Sequence, residues 1–329
     1  MRCLVVGTGS IGQRHSRNLL ALGHDVLAWD VDPVRLRELA VTGRVEVISS
    51  LEEGFGAGVT AALICTPPST HVKVALGAVR AGLDVLVEKP IAHSSDGVRV
   101  LLDEAKRRER MVMVGFNLRF LPSLRRVKEL LDNKCVGEVL SVRAEFGSYL
   151  PDWRPGRDYR DNYAVRAELG GGILLDAIHE LDYLGWLLGE VAEVICTAEH
   201  RSALAGDTED LAEITLRFRS GVLAQVHLDY LQRVYRRNLQ VIGDRGVILW
   251  DYPGHSVTVQ GPQGETVRDD LSAVEADSNR MYMDELAHFV ECVTRRNTPL
   301  VDGREALRSL RIVETAKRSS RERRWVSVE

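Results

Sequence analysis

A glycine-rich turn at the start of the chain constrains the fold more than any other feature. Residues 3–6 are continuously apolar and run into Gly7-Thr8-Gly9-Ser10-Ile11-Gly12, after which residues 11–22 carry helical spacing. Strand, G-x-G-x-x-G and helix in that order describe the first half of a βαβ unit. Gly7 is expected to make the tight turn, Gly9 to admit a pyrophosphate against the backbone, and Gly12 to let helix and strand touch. The N–H groups at the helix start, with Ser10 and Ile11 among them, offer positive potential to phosphates. The next apolar run ends at Asp30, about twenty residues on, where an acid accepts from ribose hydroxyls and repels a 2′-phosphate. Val31 and Asp32 follow it rather than an arginine, so NAD is expected over NADP.

The same rhythm continues. Apolar, β-rich runs recur at residues 26–29, 45–48, 61–65, 85–87 and 111–114, and helix-length segments lie at 33–40, 70–81 and 94–107. Nearly continuous apolar strands alternating with amphipathic helices predict a doubly wound, parallel α/β sheet covered on both faces. Near residue 118 the pattern changes. After a helix at 122–133, alternating apolar and polar residues fill 140–149, 192–200, 211–219, 222–230, 238–242 and 247–250. Period-two alternation predicts an antiparallel or mixed sheet with one buried and one more polar face, in an α+β domain. Helices are expected at 173–188, 280–295 and 304–321. The expected domains are residues 1–118 and 119–329, with the last helix free to pack back on the first domain.

Composition excludes several classes. With 43 basic and 47 acidic residues, the chain of 329 residues has a net charge of -4, which argues against a nucleic-acid partner. No apolar run approaches the roughly 18 residues that span a bilayer, so no membrane partner is expected. Met1-Arg2-Cys3 reads directly into a strand, so no secretory leader is expected. The five cysteines are scattered and contain no C-x-x-C pair, which fits reduced thiols in a cytoplasmic protein.

Further motifs follow in a specific order: Thr66-Pro67-Pro68-Ser69-Thr70-His71, then Glu88-Lys89-Pro90, Gly115-Phe116-Asn117-Leu118-Arg119, and Gly170-Gly171-Gly172 with Asp176 and His179. With the opening glycines, this order resembles the Gfo/Idh/MocA oxidoreductases over essentially the whole chain. The resemblance implies a nucleotide-binding Rossmann domain and a second domain with a large, mostly antiparallel open sheet that mediates a homodimer or homotetramer. It implies that Thr66, Pro67, His71, Glu88, Lys89 and Asn117 line the dinucleotide. Lys89 would lie beside the nicotinamide, Arg119 toward the substrate, and Asp176 and His179 would be the acid and histidine of the G-G-G-x-x-x-D…H motif. In the more familiar pattern the histidine follows the acid by four residues; here the step is three, a difference of about 100° on a helix.

The chemistry implied is hydride transfer between NAD and a CH–OH or C=O carbon of a sugar, sugar acid, cyclitol or nucleotide sugar. Oxidation of an alcohol needs a proton acceptor and a cation beside the developing alkoxide. His179 suits the first task and Lys89 the second, with Asp176 orienting them or binding a hydroxyl; Lys89 and His179 could exchange duties. Substrate contacts are expected from Trp153, Arg154, Arg157 and Tyr159, whose guanidinium and aromatic groups grip an anion or stack on a sugar. The competing reading is an arginine-rich loop paired to Asp152, Asp158 and Asp161. No H-E-x-x-H pattern is present, so no metal is expected. Two other functions stay open: an enzyme using bound NAD transiently (an epimerase, eliminase or glycosidase), and a non-catalytic dinucleotide-binding regulator.

Overall fold

Six apolar runs become six parallel strands: β1 (Arg2–Val6), β2 (Asp25–Trp29), β3 (Val45–Val47), β4 (Ala61–Ile64), β5 (Asp84–Glu88) and β6 (Val112–Gly115). The computed structural model describes residues 1–40 and 43–329. The sheet order is β3-β2-β1-β4-β5-β6. Every pairing is parallel. The order reverses at β1, which is where open α/β sheets form a ligand crevice beyond their strand ends. Leu4, Val5, Leu63, Ile64, Leu86 and Val87 have no exposed surface, as a sheet covered on both faces requires. The compact unit built on this sheet comprises residues 1–117 together with 279–308. The later segment closes the sheet edge: the Val114 N–H donates to the Val301 carbonyl at 3.1 Å, and Met113 bridges Asp302.

Two local readings are corrected here. The helix expected from residue 94 begins at Val98, because Gly97 takes a left-handed φ of 75° that ends the preceding turn. A six-residue helix, Leu51–Gly56, lies between β3 and β4. It is too short to show a periodicity, and the Ser50 hydroxyl caps it by accepting from the Glu53 N–H.

The second unit comprises residues 118–278 and 309–329. Its nine strands are β7 (Val139–Gly147), β8 (Val191–Glu199), β9 (Leu211–Phe218), β10 (Leu223–Asp229), β11 (Arg236–Gly243), β12 (Gly246–Asp251), β13 (Ser256–Gln260), β14 (Thr266–Asp270) and β15 (Val326–Ser327). The order is β14-β13-β12-β11-β7-β10-β9-β8-β15. Only β7 and β10 pair in parallel among these strands. Sequence reasoning missed β13, β14 and β15. β14 has one apolar residue, Val267, and is mostly exposed, and β15 has two residues, so neither carries an alternation.

One face of this sheet is core: Ala212, Ile214, Leu216, Phe218, Ala224, Val226 and Leu228 are buried. The other face carries Glu213, Thr215, Gln225 and His227 around an open concavity of about 920 Å³. His227 sits there between two acids, with Nδ1 2.6 Å from Glu213 and Nε2 2.8 Å from Asp229. The hydrogen bond to Asp229, opposed by partial burial and reinforced by Glu213, raises its pKa from 6.5 to about 9. A raised folded-state value stabilises the fold fully below the unfolded value and is lost upward. Thermal melts of the wild type should therefore decline as pH climbs from 6.5 through about 9, and His227→Gln should flatten that decline. Parallel melting curves for the two proteins would contradict this assignment.

Candidate functional site

At the end of β1 the chain turns where only glycine fits. Gly7 has φ 90°, and a Cβ on it would lie 2.7 Å from the Cys65 carbonyl oxygen. On Gly12 a Cβ would lie 1.9 Å from the Gly7 carbonyl oxygen, whereas above Gly9 the first atom met is an Arg35 nitrogen at 3.9 Å. The backbone is thus compressed at Gly7 and Gly12 and open at Gly9. Helix Ser10–Ala21 starts there with no side-chain cap and no acid in its first turn, which leaves N–H groups and positive potential for phosphate oxygens. These features fit a dinucleotide.

Asp30 stitches the turn to β2. Its Oδ2 accepts from the Thr8 N–H at 2.5 Å and the Thr8 hydroxyl at 3.0 Å, and Oδ1 accepts from the Asp32 N–H at 2.9 Å. Further lone pairs remain for ribose hydroxyls. The structure also brings in a charge that adjacency in sequence did not reveal. Arg35 reaches back to Asp32 at 3.4 Å and to Asp30 at 3.9 Å.

Thr66 and Pro67 follow β4, and the Thr70 hydroxyl donates to Thr66 Oγ1 and the Pro67 carbonyl. His71, expected to line the dinucleotide, is buried with both ring nitrogens facing backbone carbonyls. Its Nδ1 faces the Pro90 carbonyl at 2.8 Å and its Nε2 the Thr66 carbonyl at 2.7 Å. Burial, only partly offset by those carbonyls, lowers its pKa. It therefore ties the Thr66 loop to the Lys89-Pro90 turn, whose peptide bond is cis. Lys89 is half-buried just past β5, and Asn117 is buried at the start of the 3₁₀ turn Asn117–Phe120.

In the second unit the expected continuous helix at 173–188 is broken. Ile173–Asp176 and Ile178–Leu188 are separate helices, with Ala177 between them at φ -93°, ψ 26°. The three-residue step from Asp176 to His179 therefore crosses a break at Ala177 and does not lie on one continuous helix. Asp176 is clamped by two hydroxyls: Tyr163 donates to Oδ1 at 2.7 Å and Tyr230 to Oδ2 at 3.1 Å. Burial and the neighbouring Asp176 push the Tyr230 hydroxyl well above its ordinary range, so it stays a donor. Gly171 and Gly172 serve this clamp. A Cβ on Gly171 would lie 2.3 Å from the Tyr163 carbonyl, and one on Gly172 2.4 Å from Glu209. The protein's own loop makes the close approach that the glycines permit.

His179 is buried in the first turn of Ile178–Leu188, and its neighbours on that helix are pinned. Arg237 Nε donates to Glu180 at 2.7 Å, and Arg119 grips Asp182 through Nε at 2.9 Å and Nη2 at 2.8 Å. The Ser309 hydroxyl also donates to Asp182. Arg119 was expected at the substrate; it is 4% exposed and its fork is engaged in this pair. Trp153 packs edge-on against Tyr230, with centroids 5.3 Å apart. The Tyr159 hydroxyl accepts from the Ala205 N–H, and Arg160 is held by Asp158, as the paired-loop reading anticipated for that residue. Arg154 is half-buried and Arg157 exposed. Tyr230, Arg237 and Arg35 had no local signal; Tyr163 lay in the aromatic and arginine-rich segment, which was the clue to it.

Residues 1–116 match the family model described as "Oxidoreductase family, NAD-binding Rossmann fold". Residues 128–328 match "Oxidoreductase family, C-terminal alpha/beta domain". Myo-inositol 2-dehydrogenase of Thermotoga maritima is 29% identical over 100% of this chain and 99% of its own. scyllo-Inositol 2-dehydrogenase (NAD(+)) of Bacillus subtilis is 28% identical over 98% of this chain and 94% of its own. Among solved structures, GenD2 from gentamicin A biosynthesis, in complex with NAD, is 26% identical, with a TM-score of 0.86 over 100% of this chain and 96% of that one.

Asp30→Ala removes the anchor of Thr8 together with the carboxylate expected to accept from ribose hydroxyls. Charge-assisted hydrogen bonds of this kind contribute about 1.5–3 kcal/mol, so NADH affinity measured by fluorescence titration should fall roughly 10- to 100-fold. Unchanged affinity would remove Asp30 from the ribose contacts.

Proposed function

The chain belongs to the Gfo/Idh/MocA oxidoreductase family, and on that premise we propose that it is an NAD-dependent dehydrogenase or reductase of a polyhydroxylated substrate: a sugar, sugar acid, cyclitol or nucleotide sugar. One observation carries the reading: Asp176, clamped by Tyr163 and Tyr230, stands one short turn before His179 in a chain whose other unit carries the dinucleotide cradle. When bound, the nicotinamide supplies a site that takes or returns hydride. Lys89 holds and polarises the reacting oxygen. His179 takes the hydroxyl proton in oxidation and returns it in reduction. Asp176 accepts from a substrate hydroxyl and keeps its own place through the two tyrosines. Trp153, Arg154 and Arg157 supply a stacking face and cationic groups for the rest of the substrate. Net dehydrogenation is favoured over transient use of NAD or a regulatory role, because the relatives named above are dehydrogenases.

The uncovered polar face of the nine-stranded sheet is the surface through which two or four copies would associate, and the cytosol is the compartment that suits five free thiols, four of them buried. No helix of the described residues is long and apolar enough to cross a membrane. Light scattering on the eluted protein should give twice or four times the chain mass, and a monomer would remove this role for the sheet.

A panel of sugars, sugar acids, cyclitols and nucleotide sugars with NAD, read by NADH absorbance, tests the activity. Lys89→Met and His179→Ala should each lower kcat by roughly 10²- to 10³-fold on the substrate so identified. Which of the two is the proton acceptor follows from the variant that abolishes the acidic limb of the pH profile. Conversion without net NADH would point to transient cofactor use, and binding without conversion to a regulator.

A further inference from the structure

One buried cluster in the first unit is used neither by the cradle nor by the roles given to Lys89. Glu285 lies in the helix Arg280–Arg295 with no exposed surface, and neither of its carboxyl oxygens has a hydrogen-bond partner. It shares its surroundings with Glu88 and His15: one polar atom from each of the three lies within 4.8 Å of the others. Glu88, at the end of β5, has donors. His15 Nε2 meets its Oε1 at 2.5 Å, and the Lys89 N–H meets its Oε2 at 3.3 Å. A Cβ on Gly115 would lie 3.2 Å from Oε1, so the Glu88 carboxylate has little room to move.

Two carboxylates this close, with no water-facing surface on one of them, cannot both carry charge. Glu88 has the donors that an anion needs, and Glu285 has none. We propose that Glu285 is a positioning residue held as a neutral carboxylic acid, sharing its proton with Glu88 through one bridging water and so locking the Glu88-Lys89 turn to the helix that opens at the phosphate cradle. Burial, with the Glu88 charge added, pushes the Glu285 carboxyl well above its ordinary range. The groups around it agree with a neutral acid. Cys65 is a thiol whose own pKa is driven well up by burial and, next, by the Glu88 charge. Tyr282, on the same helix as Glu285, lies edge-on to His15 at 6.2 Å, and the Arg14 guanidinium lies over its ring at 4.4 Å. Among the described residues, no salt bridge to an arginine or lysine side chain is made by Glu285 or Glu88.

The consequence lies at Glu88, where three pieces of the unit meet. His15 comes from the cradle helix, the Lys89 N–H from the turn that carries the lysine, and Glu285 from the helix of the returning segment. A second negative charge at this junction would drive Glu88 from its donors and release the lysine turn. Neutral Glu285 keeps one charge there and adds a donor.

This rests on the role proposed for Lys89, but its tests need no substrate. The full chain is compared with Glu285→Gln, which keeps a donor, and Glu285→Met, which keeps the volume and loses it. Infrared spectra of the wild type near neutral pH should contain the carbonyl band of a protonated carboxylic acid, lost in both variants. A raised folded-state pKa in an acid stabilises at low pH and less so upward. Glu285→Gln should therefore gain progressively in Tm over the wild type as pH rises above about 5. Glu285→Gln should bind NADH within about threefold of the wild type, whereas Glu285→Met should bind about tenfold more weakly while melting no lower. Absence of the acid band would overturn the proposal, as would stoichiometric zinc or manganese that Glu285→Gln releases, or equal NADH affinity in the two variants. Failure of every polyol to reduce NAD would overturn the dehydrogenase reading alone and leave these results to stand.

Discussion

Helix and strand at the amino terminus approach until the Gly7 carbonyl oxygen occupies the place where any side chain on Gly12 would begin. That contact sets the position of nearly everything functional in the first unit. It seats the helix Ser10–Ala21 over β1 and β2, aims its uncapped N–H groups at the crevice, and lets Asp30 reach Thr8 from the neighbouring strand. It also fixes the depth at which His15 enters the interior, one turn into that helix, where it meets Glu88. A cradle for phosphates and an anchor for the lysine turn are therefore two ends of one rigid element.

Charge burial is handled in the two units by different means. In the second unit the buried acids of the Ile178–Leu188 helix have full cationic partners, Glu180 with Arg237 and Asp182 with Arg119. Such pairs contribute little net stability, because desolvation offsets their attraction, but breaking one leaves a charge stranded and is strongly destabilising. They act here as pins on the helix that carries His179. Asp176 is treated more gently, by two neutral tyrosine hydroxyls. These hold a carboxylate in place without adding a positive charge beside it, and its spare lone pairs stay available to a hydroxylated ligand. In the first unit the acids at Glu88 and Glu285 lie together, and the arrangement is tolerable only because the charge there is single.

The glycines after residue 169 show how one sequence signal can serve two readings. Three consecutive glycines beside a predicted site suggest space for a ligand. In the folded protein, Gly171 and Gly172 instead accommodate the backbone of residues 163–164 and the Glu209 carboxylate. The result is still functional in consequence, since that approach delivers the Tyr163 hydroxyl to Asp176. The break at Ala177 belongs to the same local geometry: a single continuous helix would have carried Asp176 and His179 around by a fixed angle, and the turn at Ala177 removes that restriction.

Local order was legible in the sequence wherever one physical rule governs neighbouring residues. Apolar runs at period two or near-continuous apolarity marked twelve of the strands, and helical spacing marked the long helices, with ends displaced by at most four residues where the helix is unbroken. The glycine turn, Asp30 and the ordered motifs from Thr66 to His179 indicate a dinucleotide fold from the chain alone. Tertiary structure decided the rest, because the deciding partners lie far apart along the chain. Tyr230 reaches Asp176 across 54 positions, Arg237 reaches Glu180 across 57, and His15 reaches Glu88 across 73. Short polar strands such as β14 carry no alternation, since neither face is core. Arg119 and His71 kept their places in the motifs but turned to partners within the protein, because a buried guanidinium or imidazole must first satisfy its own hydrogen bonds. Spacing along a chain specifies which groups can be neighbours on one element; only packing between elements selects which of them remain to meet a ligand.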